Sequence, residues 1–204
     1  MDFDRIFAVS DETAGVFAGV YPECQQKLSV FHNLIDTEAI RQKALSPAEK
    51  SMHEGIRLLT VGRLTPQKGF DCAVYALKLL LEKQYPVYWY IIGEGPEYGR
   101  LTQLARSLHV EDHFIFLGMQ TNPYPYFKMA DFYIHATRFE GKSIAIQEAQ
   151  VLGCAIAASD CSGNREQIVS GVDGLLCPFS PEGIANAVEY LIEHPPVSYT
   201  HLRA

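Results

Sequence analysis

The chain has no Cys-x-x-Cys pair, although Cys24, Cys72, Cys154, Cys161 and Cys177 are spread along its 204 residues. An odd, scattered set of this kind argues against a disulfide framework or a thiolate zinc site, and reads as reduced core thiols. Excess positive charge is also lacking: 17 Lys and Arg stand against 24 Asp and Glu, a net charge of −7. That argues against bulk attraction to nucleic acid or anionic lipid, while leaving room for a local basic pocket. No apolar run approaches the ~18 residues of a membrane span, and the N-terminus has no signal-peptide pattern. A soluble, cytoplasmic protein is the expectation. Internal repeats and low-complexity segments are missing, as are a Ser-His-Asp or Cys-His arrangement and metal-ligand spacing. Neither a cofactor nor a metal is therefore expected.

What is present is a hydrophobic content of 48%, enough for one well-buried α/β domain and part of a second. From Ile56 onward, short apolar runs alternate with helical patterns. Strands are predicted over 56–61, 87–92, 114–117, 131–136, 154–158 and 175–177. Between them the spacing predicts helices over 70–83, from Pro96 to about 108, over 123–129, from 144 through Glu148, over 164–169 and over 181–193. This alternation implies a parallel sheet covered on both faces, with its loops and any ligand at one edge. Ahead of it, 5–9 and 28–32 read as strands around a helix capped by Ser10 or Asp11, a set too small to build a sheet. Residues 1–35 are thus expected to be the remnant of something larger. Asn33 and Asp36 suggest a turn and another capped helix. The segment 36–55 is otherwise polar, carries Pro47, and reads as a linker to a domain over 56–194. The last ten residues, 195–204, lack periodicity and resemble translated adapter read-through, so a non-native tail on a longer natural chain is expected.

Two glutamates, Glu140 and Glu148, are separated by seven residues across a strand exit and the following helix. A helix rises ~1.5 Å per residue, so the pair should lie on the order of 10 Å apart, suited to a ligand with two polar ends. Glu140 alone could simply favour a helix N-terminus. Glu148 among Ile144, Ala145, Ala149 and Leu152 would be costly to bury without a partner. Lys142 could join an anion site or pair with Glu140. The loop Gly62-Arg-Leu-Thr-Pro-Gln-Lys-Gly69 sets Arg63 and Lys68 at opposite ends, a fork and a point charge able to grip a diphosphate, or else an ordinary solvated turn. Gly93-Glu-Gly-Pro96 fits no Walker or dinucleotide pattern and reads as a strand-exit turn lining the cleft. The small-residue loop at Ser162-Gly-Asn-Arg-Glu-Gln167 is either a backbone ligand contact or a capped helix. His135 reads as a satisfied strand-end histidine rather than a base.

Taken together, Gly-Arg-Leu-x-x-x-Lys-Gly (62–69), Gly-Glu-Gly-Pro (93–96), Phe-Leu-Gly (116–118), the spaced glutamates and Gly-Val-Asp-Gly-Leu-Leu (171–176) resemble the retaining glycosyltransferases of the group 1, or family 4, type. The resemblance covers roughly 56–193 and implies the nucleotide-sugar half of a GT-B fold. It implies that Arg63 and Lys68 bind the donor diphosphate, that Glu140 faces the sugar and that Glu148 holds the ribose. Gly62, Gly93, Gly118, Met119, Gly141, Lys142, Ser143 and Ile144 would line the donor site, with the base near Gly93 and Met119. Arg63, Lys68 and Glu140 are the candidate catalytic residues. The implied reaction is front-face hexosyl transfer to a saccharide or lipid-linked acceptor, the leaving nucleotide being stabilised by cations and helix ends without a metal. The wording Glu140-Gly-Lys-Ser-Ile-Ala resembles a bacterial branch used in surface-polysaccharide synthesis, which would allow peripheral contact with the inner face of a membrane.

The family's acceptor-binding N-terminal domain is expected to be represented only by its tail and by the crossing segment 31–36. A donor-binding part, inactive alone, is therefore the expectation. A non-catalytic nucleotide-sugar module, or a donor subunit with a separate acceptor-binding partner, is the alternative, favoured by an exposed apolar face beside residues 1–40. A phosphorylase or nucleotide-sugar epimerase of the same fold would need a cofactor-lysine pocket, or acidic and histidine residues in the cleft.

Overall fold

A computed structural model describes residues 3–194. Its main body is a six-stranded parallel sheet built from β3 (Ile56–Val61), β4 (Val87–Ile92), β5 (Phe114–Gly118), β6 (Phe132–His135), β7 (Ala155–Ser159) and β8 (Leu175–Cys177). The strand order is β5-β4-β3-β6-β7-β8. Helices α3 (Phe70–Glu82), α4 (Tyr98–Ser107), α5 (Tyr124–Met129), α6 (Ile144–Leu152), α7 (Ser162–Arg165) and α8 (Pro181–Glu193) connect or follow the strands. This is the covered parallel sheet that the alternating pattern predicts, with the order reversing at the β3/β6 boundary.

The strands read as continuous apolar runs because both faces are covered, yet period two still sorts their side chains. Leu58, Trp89, Ile91, Phe132 and Ile134 enter the core with α3, α4 and α8. Leu59, Tyr90, Ile92 and Tyr133 enter the opposite core with α5 and α6. Each fully buried large side chain contributes on the order of 1.5–3 kcal/mol. The α3 face Phe70, Ala73, Val74, Leu77 and Leu80 is buried, and Gly69 at φ 62° starts that helix in a conformation that favours glycine.

The first 35 residues do build a sheet, though a small one. Strands β1 (Ile6–Ala8) and β2 (Leu28–Val30) pair in parallel, with α1 (Asp11–Val20) between them. Three-residue strands suffice because α1 supplies the crossover, capped by Ser10 accepting from the Thr13 amide. This unit buries few of its own apolar groups: Phe7 is 59% and Phe31 57% exposed. Residues 36–55 are not a bare linker. Asp36 caps α2 (Thr37–Lys43), whose Ile40 is buried. The polar stretch beyond is pinned by its backbone, Lys50 N–H donating to the Tyr126 hydroxyl (3.0 Å) and His53 N–H to that of Tyr90 (2.6 Å). The helix predicted over 164–169 lies earlier, at Ser162–Arg165, because Asn164 turns inward to donate to the Ser159 carbonyl. The expected tail at 195–204 lies outside the described residues. Among the described residues no helix is long and apolar enough to cross a membrane.

Candidate functional site

Strands β3 and β6 lie side by side, and their connections leave in opposite directions. The loop after β3, with Lys68, and the loop after β6, with Glu140, therefore face each other across a crevice that the topology alone creates. Lys68 ends a 3-10 turn (Pro66–Lys68) just ahead of α3. Its Nζ donates to Glu140 Oε2. The same oxygen lies 3.3 Å from His135 Nε2, and His135 Nδ1 lies 3.2 Å from the Tyr133 hydroxyl. Tyr133 and His135 are two apart on β6, so they point to the same side of the sheet.

Electrostatics follow from this chain. Burial alone would raise the Glu140 carboxyl, but hydrogen bonds from His135 and Lys68, with the Lys68 charge, bring it down to about 2. Burial lowers the His135 imidazole below its ordinary range, opposed by its hydrogen bond to Glu140 and reinforced by Lys68. Burial pushes the Tyr133 phenol well up, so it stays protonated. Glu140, depressed in the folded state, supplies stability that is whole above about pH 4.5 and lost as pH falls toward about 2. That contribution is on the order of 3 kcal/mol. The folded protein also resists protonating His135, so stability begins to fall as pH drops below about 6.5. Urea denaturation from pH 7.5 to 3 should therefore show acid destabilisation in two stages, and His135→Gln should remove the upper one. A single stage below pH 4 in the parent protein would contradict this.

Glu148 sits just over one turn into α6, whose N-cap is Ser143. Its Oε1 accepts from the Tyr124 hydroxyl at 3.0 Å. Burial raises the Glu148 carboxyl, with the Tyr124 hydrogen bond opposing. Burial and then the Glu148 charge push the Tyr124 phenol to about 12. Glu148 is thus a half-buried carboxylate with a neutral partner and no ion pair among the described residues.

The Glu140 loop is fixed from several sides. Arg138 N–H and the Thr137 hydroxyl donate to the Gln67 carbonyl (2.9 and 3.1 Å), and Gln67 Nε2 donates to the Phe139 carbonyl (2.9 Å). The Arg138 guanidinium grips both oxygens of Asp71. From α7, Gly163 approaches so closely that a Cβ there would lie 2.1 Å from the Glu140 carbonyl oxygen. Gln167 pairs with both backbone groups of Ser143, at 2.7 and 2.9 Å. Gly141 faces α1, where an added Cβ would lie 3.3 Å from Thr13 Oγ1.

The remaining predicted residues fall around this centre. Gly93, at φ 141°, lies against Gly62, whose carbonyl oxygen would be 2.0 Å from an added Cβ. The strand-exit turn thus has a physical reason for its glycine. Gly93, Glu94, Gly95, Tyr98, Phe116 and Gly118 line a cavity of about 500 Å³. Met119 lies just beyond that lining and is 70% exposed. Arg63 is exposed and makes no ion pair among the described residues; Lys142 is half-buried and likewise unpaired. Ile144 opens α6 and is half exposed. Sequence reasoning missed Tyr124, Tyr133 and Gln67, and named Gly163 only within the 162–167 loop, not for its approach to Glu140. For Tyr133 the signal was its i, i+2 relation to His135; for the others no local pattern marks the contact.

The profile of the family described as Glycosyl transferases group 1 matches residues 41–203. A Campylobacter jejuni protein named as an N-acetylgalactosamine-N,N'-diacetylbacillosaminyl-diphospho-undecaprenol 4-alpha-N-acetylgalactosaminyltransferase is 34% identical over 152 residues, 74% of this chain and 40% of that protein. The chain spans less than half the length of the curated relatives it matches. The fold is shared with a glycosyltransferase of Rickettsia africae, at a TM-score of 0.83 and 20% identity, over 95% of this chain and 54% of that one. It is shared equally with Anabaena HepE, solved with UDP-glucose, at a TM-score of 0.82 and 21% identity, over 97% and 56%.

Proposed function

Since the chain belongs to the group 1 glycosyltransferases, we propose that it supplies the donor-binding half of a retaining, metal-independent hexosyltransferase using a nucleoside-diphosphate sugar. The observation that carries this reading is the pairing of two unlike carboxylates at one switch-point crevice. Glu140 is held ionised beside Lys68, while Glu148 is half-buried with only Tyr124. A vicinal diol satisfies a carboxylate of the second kind, because two hydroxyl donors can meet its two oxygens. Glu140 would face the hexose, Arg63, Lys68 and Lys142 the diphosphate, and the cavity beside Gly93 and Gly118 the base. Charge develops on the leaving phosphate, so cations placed there favour the transition state over the bound donor. The C. jejuni relative acts on a lipid-linked sugar, which supports a saccharide or lipid-linked acceptor in bacterial surface-polysaccharide synthesis, at the inner face of the membrane.

A second reading is a donor subunit or nucleotide-sugar-binding module completed by a separate acceptor-binding chain. It is favoured by the exposed apolar surface of the β1-α1-β2 unit, with Phe7, Val16, Phe31 and Leu34 turned outward. In the single-chain reading, the remainder of a longer protein covers this surface. A thermal-shift panel of UDP-, GDP- and ADP-sugars tests the shared premise. A donor at about 100 times its Kd stabilises by ~2.7 kcal/mol, which raises Tm by several degrees. Glu148→Ala should lose most of that rise and Tyr124→Phe part of it, and EDTA should leave the wild-type rise unchanged. Equal stabilisation of Glu148→Ala and the parent would remove Glu148 from the site.

A further inference from the structure

The crevice contains a histidine that the proposed transfer does not use. His135 is buried, 2% exposed, with a partner on each ring nitrogen. In the neutral ring its Nε2–H donates to Glu140, and its Nδ1 accepts from the Tyr133 hydroxyl. The Tyr133 oxygen also lies 3.5 Å from the Val61 carbonyl of β3. The hydroxyl hydrogen therefore has a second acceptor ready if Nδ1 ceases to accept. Lys68, meanwhile, spends its charge on the same Glu140 oxygen that His135 touches.

We propose that His135 is a positioning residue that keeps hold of Glu140 when Lys68 turns to the donor's diphosphate, taking up one proton from solvent as it does so. The inference rests on the nucleotide-sugar reading above. A diphosphate brings negative charge to the loop that carries Lys68. As Lys68 Nζ moves to the phosphate, Glu140 loses its charged partner while remaining half-buried, and a neutral imidazole does not balance it. A proton from water added at Nδ1 makes the ring an imidazolium with two N–H donors. Nε2–H stays on Glu140, Nδ1–H donates to the Tyr133 oxygen, and the Tyr133 hydrogen turns to the Val61 carbonyl. No bond to carbon changes, and solvent buffer supplies the proton.

The groups around the ring agree on the direction. Along β6 and its exit, Tyr133 is a neutral phenol and Glu140 an anion. The turn after β3 contributes Lys68, and β3 itself only the Val61 carbonyl. From β7, the Ser159 hydroxyl reaches the His135 carbonyl at 3.3 Å, without charge. Glu148 on α6 acts at one remove, on Tyr133. The half-buried Cys161 thiol near Glu140 is raised, first by burial, and stays neutral. Lys68 is thus the cation opposing protonation of His135, and the donor draws it off.

Isothermal titration of this chain with UDP-glucose, GDP-mannose and ADP-glucose at pH 7, in buffers of different ionisation enthalpy, reads the proton directly. Sugar-linked diphosphates have no ionisation of their own near neutrality, so uptake belongs to the protein. The expected result is proton uptake with whichever donor binds, reduced to near zero in His135→Gln, with affinity weakened up to about tenfold. Imidazole nitrogen NMR of the wild type covers a variant that fails to fold: Nδ1 of His135 should change from acceptor to N–H type on saturation. Binding without uptake, uptake unchanged in His135→Gln, or an unchanged Nδ1 signal would overturn the role of His135 and leave the donor reading intact. No binding of any donor would bring down both.

Discussion

Gly163→Ala should cost the protein its response to nucleotide-sugars, although position 163 touches none of the proposed ligand-binding side chains. The added methyl would lie 2.1 Å from the Glu140 carbonyl oxygen and 2.5 Å from that of Gly141. Both are backbone atoms, so no rotamer change relieves the contact. Position 163 itself is anchored, because the adjacent Asn164 is fully buried and donates to the Ser159 carbonyl at 2.8 Å. The Glu140–Gly141 segment must give way instead, carrying Glu140 off Lys68 and His135. Overpacking of this kind costs about 1–3 kcal/mol. A displacement on the order of 1 Å at a positioning carboxylate can cost far more in function than in stability. Melting curves with and without the stabilising donor would measure both. Gly15→Ala and Gly99→Ala are the controls, since nothing lies within 4 Å of a Cβ at either helical position. They should be neutral or stabilising by up to about 1 kcal/mol. A Gly163→Ala protein that melts like the parent and keeps the donor-induced shift would show that the Glu140 loop is not held from α7.

Lys68→Met should be the most destabilising single change in the crevice. Removing the cation leaves a carboxylate whose side chain is 11% exposed without its fixed charged partner. Breaking a buried pair from one side costs 3–5 kcal/mol, and the partial exposure of Lys68 reduces this to roughly 2–4 kcal/mol. Glu140→Gln should cost less, because Lys68 is the more exposed partner and can turn to water. The double variant should be more stable than Lys68→Met, since no unpaired carboxylate remains. Without Lys68 both the Glu140 carboxyl and the His135 imidazole titrate at higher pH, so the deficit of Lys68→Met should shrink between pH 7 and pH 5. Chemical denaturation of the three variants at both pH values would show the pattern. Additive penalties with no pH dependence would mean that the pair contributes nothing beyond its separate groups.

The sheet was legible because a strand covered on both faces must be apolar nearly throughout, and runs such as Val87–Ile92 and Ile56–Val61 are. Helix starts were legible where a short polar side chain caps them, as at Ser10 and Asp36. The segment around Lys50 and His53 was not, because its backbone is held by two tyrosine hydroxyls from elements far along the chain, and such anchoring leaves no periodicity. At the site, the sequence identified the charged residues but not their partners. Lys68 and Glu140 were read as gripping different parts of a ligand, whereas they also hold each other. Glu148 was recognised as needing a partner, but Tyr124 comes from a separate helix. Gly163 looked like part of a helix start, since its close approach depends on where the Glu140 loop returns.

The β3–β6 pairing also bears on how the protein assembles. Leu58 meets Phe132 and Leu59 meets Tyr133, in each case 74 positions apart by subtraction. Each half of the sheet, by contrast, runs outward through strands that follow one another along the chain, β3-β4-β5 and β6-β7-β8. Closing a long loop costs entropy before its contacts repay it. The crevice with Lys68 and Glu140 is therefore spanned by the most distant neighbours in the sheet. It exists only once both halves have docked, so no short piece of this chain contains the site.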